Sequence, residues 1–207
     1  MSEQKSQPSE SQSPFIRRRL RILFAHTRFP YPLIGGDKVK SYHLLKHLAA
    51  HHDVTLITNH HTGEAPPEKL QGLTSLGVNV EVIPLSITKS VYGCVKNIGN
   101  GLPLEIQFYQ NEAYKQRLAK LMSEKKFDLA IGFFQRGGEY VRNLPIPKIL
   151  VAEDCRVLYT SRSFLTTKWS SPHQKIARWW ELRRLMKHEP SLMEDFDLTT
   201  DSQKPDI

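Results

Sequence analysis

The chain has 207 residues, 39% of them hydrophobic and 24% charged, with 11 Gly and 13 Pro. That is enough apolar material for the core of one large domain, which excludes wholesale disorder. Lysine and arginine number 29 against 21 aspartate and glutamate, a formal charge of +8, which favours anionic partners without choosing among nucleic acid, phosphorylated metabolites and an anionic membrane surface.

No stretch approaches the roughly 20 apolar residues of a membrane-spanning helix. Residues 1–14 lack the apolar centre of a signal peptide and read as a disordered polar tail. Cys94 and Cys155 have no metal-ligand spacing, and they read as reduced thiols in a cytoplasmic protein.

A basic lead-in, Arg17-Arg18-Arg19, precedes an apolar run over 20–25 with the length of a buried strand. A loop rich in Pro and Gly follows, from Arg28 through Pro30 and Pro32 to Gly35-Gly36. Residues 37–50 then show helical spacing, with Val39, Tyr42, Leu45, Leu48 and Ala49 on one side. Asp37 is the expected N-cap, because its carboxylate can accept from the first free backbone N–H groups. Strands are expected at 54–58 and 78–83, which completes a βαβ unit with a right-handed crossover and a parallel sheet.

The alternation repeats after a poorly patterned region, 86–103, that reads as a loop-rich excursion. A helix is expected over 111–126 with Tyr114, Leu118, Leu121 and Met122 inward, then a strand over 127–134, a short helix over 138–143 and a strand over 148–152. Residues 173–189 read as one helix that Pro190 interrupts, and 198–200 as the start of another strand. The expected architecture is α/β: a Rossmann-like, doubly wound parallel sheet with C-terminal helices, its ligands at the carboxyl ends of the strands.

Gly35-Gly36-Asp37 falls between the first strand and the first helix. Backbone N–H groups there can meet an anion, and glycine leaves no Cβ in the way; a plain tight turn is the other reading. No G-x-G-x-x-G follows a strand, and no G-K-[ST] occurs, so neither a dinucleotide fingerprint nor a P-loop is present. His43, His47 and His51 share one helical face without a completing carboxylate and read as solvated. Glu153-Asp154 follows the strand at 148–152, where an acid can act as general base or orient a hydroxyl; a turn or cap pair is the alternative. Arg136, expected at the end of the preceding strand, is a candidate anion clamp.

The helix with Trp179-Trp180 carries Lys175, Arg178, Arg183, Arg184 and Lys187 against Glu181 and Glu189. It can pack on the sheet, bridge to another domain, or lie on an anionic membrane with its tryptophans at the interface. A nucleic-acid partner is not expected, since helix-turn-helix, RNP and zinc patterns are all missing.

In combination, Pro30, Pro32, Gly35-Gly36-Asp37, Lys40 and Leu44-Leu45, then His52-Asp53-Val54, Phe127-Asp128-Leu129, Glu153-Asp154-Cys155-Arg156 and Phe196-Asp197 resemble the N-terminal half of family 4 glycosyltransferases. These are retaining enzymes of the GT-B fold, and the closer likeness is to bacterial polysaccharide-assembly sugar transferases. The resemblance implies an acceptor-side Rossmann-like domain over 15–196, with 197–207 starting a linker to a donor-binding half that this chain lacks. It implies a nucleotide-sugar as substrate, a glycan or lipid-linked acceptor, and no cofactor or metal. A second polypeptide with the C-terminal half and an anionic membrane surface on the cytoplasmic side are the further partners. By the same resemblance, Gly35 and Gly36 approach the donor diphosphate, Asp154 and Glu153 form the catalytic pair, and Asp37, Lys40 and Arg136 assist donor-phosphate or acceptor binding. The alternative is a non-catalytic phosphate- or glycan-binding module of the same fold.

Overall fold

A computed structural model describes residues 18–61, 65–153, 155–166 and 172–201, with the side chains of Glu153 and Asp201 outside the description. Six strands form one parallel sheet: β1 (Arg21–His26), β2 (Asp53–His60), β3 (Asn79–Pro84), β4 (Leu129–Phe133), β5 (Lys148–Glu153) and β6 (Leu198–Asp201). Their spatial order is β3-β2-β1-β4-β5-β6. The order reverses between β1 and β4, so the doubly wound fold has its switch point there. Because β6 belongs to this sheet, the domain runs past the expected boundary at 196; residues 198–201 are not linker.

β1 is buried on both faces and alternates between them with period two. Ile22 and Phe24 face one cluster with Leu45, Leu56, Leu73 and Phe133, under α1 (Gly36–His51) and α2 (Pro67–Thr74). Leu23 and Ala25 face the other, with Tyr114, Leu118, Leu121 and Val141, and this cluster holds α5 (Glu112–Glu124) and α6 (Phe134–Val141). At the amino edge, Asp128 accepts from the Arg21 backbone N–H at 2.9 Å and from its guanidinium at 3.0 Å twice. Those bonds, to the Arg21 side chain first, hold the Asp128 carboxyl well below the usual range.

Several elements differ from expectation. Residues 86–103 are not all loop: α3 (Ile87–Lys96) starts at Ser86, whose Oγ accepts from the Lys89 N–H, and α4 (Leu104–Phe108) follows. Periodicity pointed away from α3 because its apolar residues are exposed; Ile87, Val91 and Val95 lie in solvent and the buried residue is Ser90. α7 (Arg156–Thr166) buries no residue fully and left no core pattern to read. α8 (Pro172–Glu194) runs through Pro190. Proline removes one intrahelical bond, but Leu185, His188, Glu189 and Leu192 anchor the helix on both sides of it. On α1 the buried residues are Ser41, Leu45 and Ala49, whereas Val39 is exposed.

Candidate functional site at the carboxyl edge

β1 delivers His26 and Thr27 to the carboxyl edge, both almost wholly buried, and neither His26 ring nitrogen nor Thr27 Oγ1 has a hydrogen-bond partner in the protein. Buried polar groups are nearly always paired, so such a cluster marks a place built to meet something. Thr58 Oγ1 and Asn59 Nδ2 from β2, and Gln135 Nε2 and Arg136 Nε from the β4–α6 junction, are unpaired in the same way. The His26 ring stands edge-on to Phe133, 4.8 Å between centroids. Burial, and then the charges of Arg136, Arg28 and Lys38, push the His26 imidazole well below its ordinary pKa. It is a neutral ring among three cations.

That neutrality has a measurable consequence. In the unfolded chain the ring titrates near pH 6.5, so below that pH the unfolded state binds one more proton than the fold. Stability therefore falls as pH drops through 6.5, by about 1.4 kcal/mol for this group between pH 7.5 and 5.5. Urea unfolding at both pH values should show a loss about 1 kcal/mol larger in the natural chain than in His26→Gln. Equal losses would mean that His26 is not held neutral.

From His26 the chain turns back through Pro30 and Pro32 to Gly35, which stands at φ 101° as the N-cap of α1. Few residues but glycine adopt that backbone. The expected cap is corrected here: Asp37 is in the first turn of α1, and its carboxylate takes the Arg28 guanidinium at 2.7 Å rather than capping. No side chain caps the first turn of α1, so Gly35 and Gly36 present backbone toward the edge. A Cβ built on Gly36 meets nothing within 4 Å. Lys40 lies elsewhere, lining a groove with His43, Ile131, Val151 and Thr200 over the face of β4–β6.

Arg136 is not at a strand end. β4 stops at Phe133, and α6 begins at once with Phe134 at φ 60°, a backbone that is strained for a bulky residue. Three glycines permit this abrupt turn. A Cβ on Gly137 would stand 2.3 Å from the Ala25 carbonyl oxygen, one on Gly132 would be 2.6 Å from Gly138 Cα, and one on Gly138 would be 2.7 Å from Leu150 Cδ1. The start of α6 is thereby wedged between β1 and β5, and Arg136 is drawn inward.

Its guanidinium lies 4.9 Å from the Tyr109 ring centroid and 5.1 Å from that of Phe134, and pairs with Glu105 at 3.1 Å. The other oxygen of Glu105 takes Arg156 at 2.5 Å. One carboxylate from α4 thus bridges a guanidinium after β4 to one after β5. Arg136 positions this edge as much as it could clamp an anion.

The expected catalytic pair falls largely outside the described residues. Asp154 lies outside them, and of Glu153 only the backbone is described, closing β5 beside Asp201. Two acids of α8 instead serve helix starts: Glu181 accepts from the Leu104 N–H at 2.8 Å and Glu189 from the Val157 N–H at 3.0 Å. Burial pushes the Glu181 carboxyl up. His43, His47 and His51 are exposed along α1, and among the described residues no group of three His, Cys, Asp or Glu side chains is placed to hold a metal ion.

Sequence reasoning brought Gly35, Gly36 and Asp37 to this edge, but it missed His26, Thr27, Asn59, Gln135, Glu105 and Tyr109. The run Gly132-Phe-Phe-Gln-Arg-Gly137-Gly138 was the available signal, since glycines packed around a strand end mark a helix that starts without a loop.

No family model matches the chain. No curated protein matches it either. A solved structure of A-type ketoreductases from a modular polyketide synthase is similar over 81% of this chain and 46% of that one, at 13% identity and a TM-score of 0.32. The chain spans about half the length of that structure. Function has to be read from the site's own residues.

Proposed function

We propose that this chain is the acceptor-side half of a family 4-like sugar transferase, which transfers a sugar from a nucleotide-sugar to a glycan or lipid-linked acceptor in polysaccharide assembly. The observation that carries the proposal is the set of buried, unpartnered polar groups at the switch point, beside the uncapped start of α1. Ligands of open α/β sheets bind at that edge, and an uncapped helix start with glycines suits a diphosphate. The motifs around Gly35-Gly36 and Glu153-Asp154 supply the transferase reading; Asp154 and Glu153 would act at the transferred sugar, and no metal or cofactor is required. The donor half would come from a second polypeptide.

These 207 residues by themselves should therefore bind ligand yet transfer no sugar, because on this reading they form one side of the cleft. Radiolabelled donor-hydrolysis and transfer assays on the pure chain, with and without a donor-binding partner, check this. Transfer by the chain alone refutes the split-cleft reading. Binding without transfer even beside a competent partner favours the non-catalytic module.

We also propose peripheral association with an anionic membrane, on the cytoplasmic side. No helix of the described residues is long and apolar enough to cross a membrane. α8 exposes Ile176, Trp179, Trp180 and Met186, and Arg183 lies over Trp179 at 5.1 Å. The expected set of cations shrinks, however. Arg184 is buried and bonds the Ile98 carbonyl, and Arg18, Arg19 and Arg21 pair with Asp128 and Asp53 at the amino edge. With roughly 1 kcal/mol per engaged basic residue, Arg183 and Lys187 give weak and salt-sensitive binding. Co-sedimentation with anionic vesicles at low salt should be lost in Arg183→Gln/Lys187→Gln; equal binding to neutral vesicles would remove the proposal.

A further inference from the structure

A cavity adjoining the switch-point cluster opens on the other side of β1 from β4, where β1 and β2 end, and shares Thr27 and Asn59 with that cluster. It has a volume of about 140 Å³, and its walls include Thr27, Arg28, Lys38, Asn59, His60 and Lys69. Arg28, Lys38 and Lys69 bring three positive charges from three different segments: the β1–α1 loop, the first turn of α1 and the start of α2. Asp37 answers one of them, through its 2.7 Å pair with Arg28. Burial first, and then the charge of Arg28, pushes the Lys38 ammonium down; burial and then Lys69 do the same to the His60 imidazole. The cations are close enough to act on one another, and folding alone gives no reason to gather them.

The floor supplies directional groups. Thr27 is 1% exposed and Asn59 3%, and both line this cavity. Asn59 Oδ1 accepts from Asn111 Nδ2 at 3.1 Å, whereas Asn59 Nδ2 and Thr27 Oγ1 have no partner in the protein. Two buried polar groups with spare hydrogens beneath several cations form a receptor for a multiply charged oxyanion. Size narrows the class. Pockets that enclose a drug-sized ligand run to about 300–1,000 Å³, so this one takes a single small group and not a whole nucleotide-sugar.

We propose that the cavity is a phosphate subsite, which takes the terminal phosphate of a phosphomonoester through Arg28, Lys38 and Lys69 with Thr27 and Asn59 beneath. It shares Thr27 and Asn59 with the transferase reading but does not require it, because phosphate binding concerns neither Asp154 nor sugar transfer and can be measured without either. Tyr109 joins the two sites: it lines this cavity and carries Arg136 over its ring, so a phosphate held here has the switch-point cluster beside it.

Isothermal titration of the full chain tests the proposal with three probes: inorganic phosphate, glucose 6-phosphate and dihexanoyl phosphatidic acid. Phosphate should bind at low ionic strength, and Lys38→Gln/Lys69→Gln should weaken it at least tenfold with the thermal midpoint unchanged, since neither lysine is in the core. Lys46→Gln, an exposed lysine on the same helix, should leave the affinity as it was. Thr27→Val should weaken binding severalfold without changing any charge. Tighter binding of the sugar phosphate points to a soluble ligand, and tighter binding of the lipid to a membrane-borne one. No heat at 10 mM phosphate, or equal weakening by Lys46→Gln and the double variant, overturns the subsite.

Discussion

Gly137→Ala should destabilise the fold by about 3 kcal/mol or more, at the upper end of overpacking effects. The added Cβ would stand 2.3 Å from the Ala25 carbonyl oxygen. That atom belongs to β1, buried on both faces, so no flexible side-chain end can yield. For a domain of this size the change lowers the thermal midpoint by about 6–12 °C, read by circular dichroism. A midpoint within about 2 °C of the natural chain, less than 1 kcal/mol at this size, would mean that α6 does not press on β1 as described. Arg136, Gln135 and the strained Phe134 would then lose the cause of their placement.

Gly36→Val is the opposite case. Nothing lies within 4 Å of a Cβ at Gly36, in the first turn of α1, so the fold should be spared; replacing a glycine by a β-branched residue inside a helix shifts stability by less than about 1 kcal/mol. The same branched side chain stands where a diphosphate would meet the uncapped helix start. Diphosphate binding should fall by about 100-fold, roughly 2.7 kcal/mol at 1.36 kcal/mol per decade, and on the proposed transferase reading activity beside a donor half should vanish with it. Unchanged binding with an unchanged midpoint would make Gly35-Gly36 a plain turn.

Much of the sheet was legible because buried parallel strands are continuous apolar runs. β1 and β5 are such runs, β2 showed in the mostly β-branched stretch Val54-Thr55-Leu56-Ile57-Thr58, and β6 showed in Leu198-Thr199-Thr200 although the expected domain boundary cut it off. α5 was legible because Tyr114, Leu118 and Leu121 fall on one buried face behind an Asn111 cap. α3 and α7 were not: one turns its apolar row to solvent, and the other buries nothing fully. Pro190 misled because the rule it follows is local, whereas the packing of Leu185 and Leu192 on either side is not.

The site was legible only where backbone chemistry writes itself into sequence. Gly35-Gly36 announces an unusual turn, and the turn is there. His26, Thr27 and Asn59 at strand ends and Gln135 at the start of α6 are ordinary residues, and their importance comes from buried polar atoms left unpaired, which arise only once three strands lie side by side. The same holds for Glu105. Nothing in the sequence of α4 says that it will join Arg136 to Arg156.

The central claim is that the carboxyl edge around the β1–β4 switch point is where this chain meets an anionic ligand. Titration of ¹⁵N-labelled protein with uridine diphosphate, followed by amide chemical shifts, tests it most directly. The account predicts that shifts concentrate at Arg28, Gly35, Gly36, Gln135 and Gly137, and that they disappear in Gly36→Val. Shifts confined to the amino edge around Arg21, Asp53 and Asp128 or to the outer face of α8, or none at saturating ligand, would contradict it.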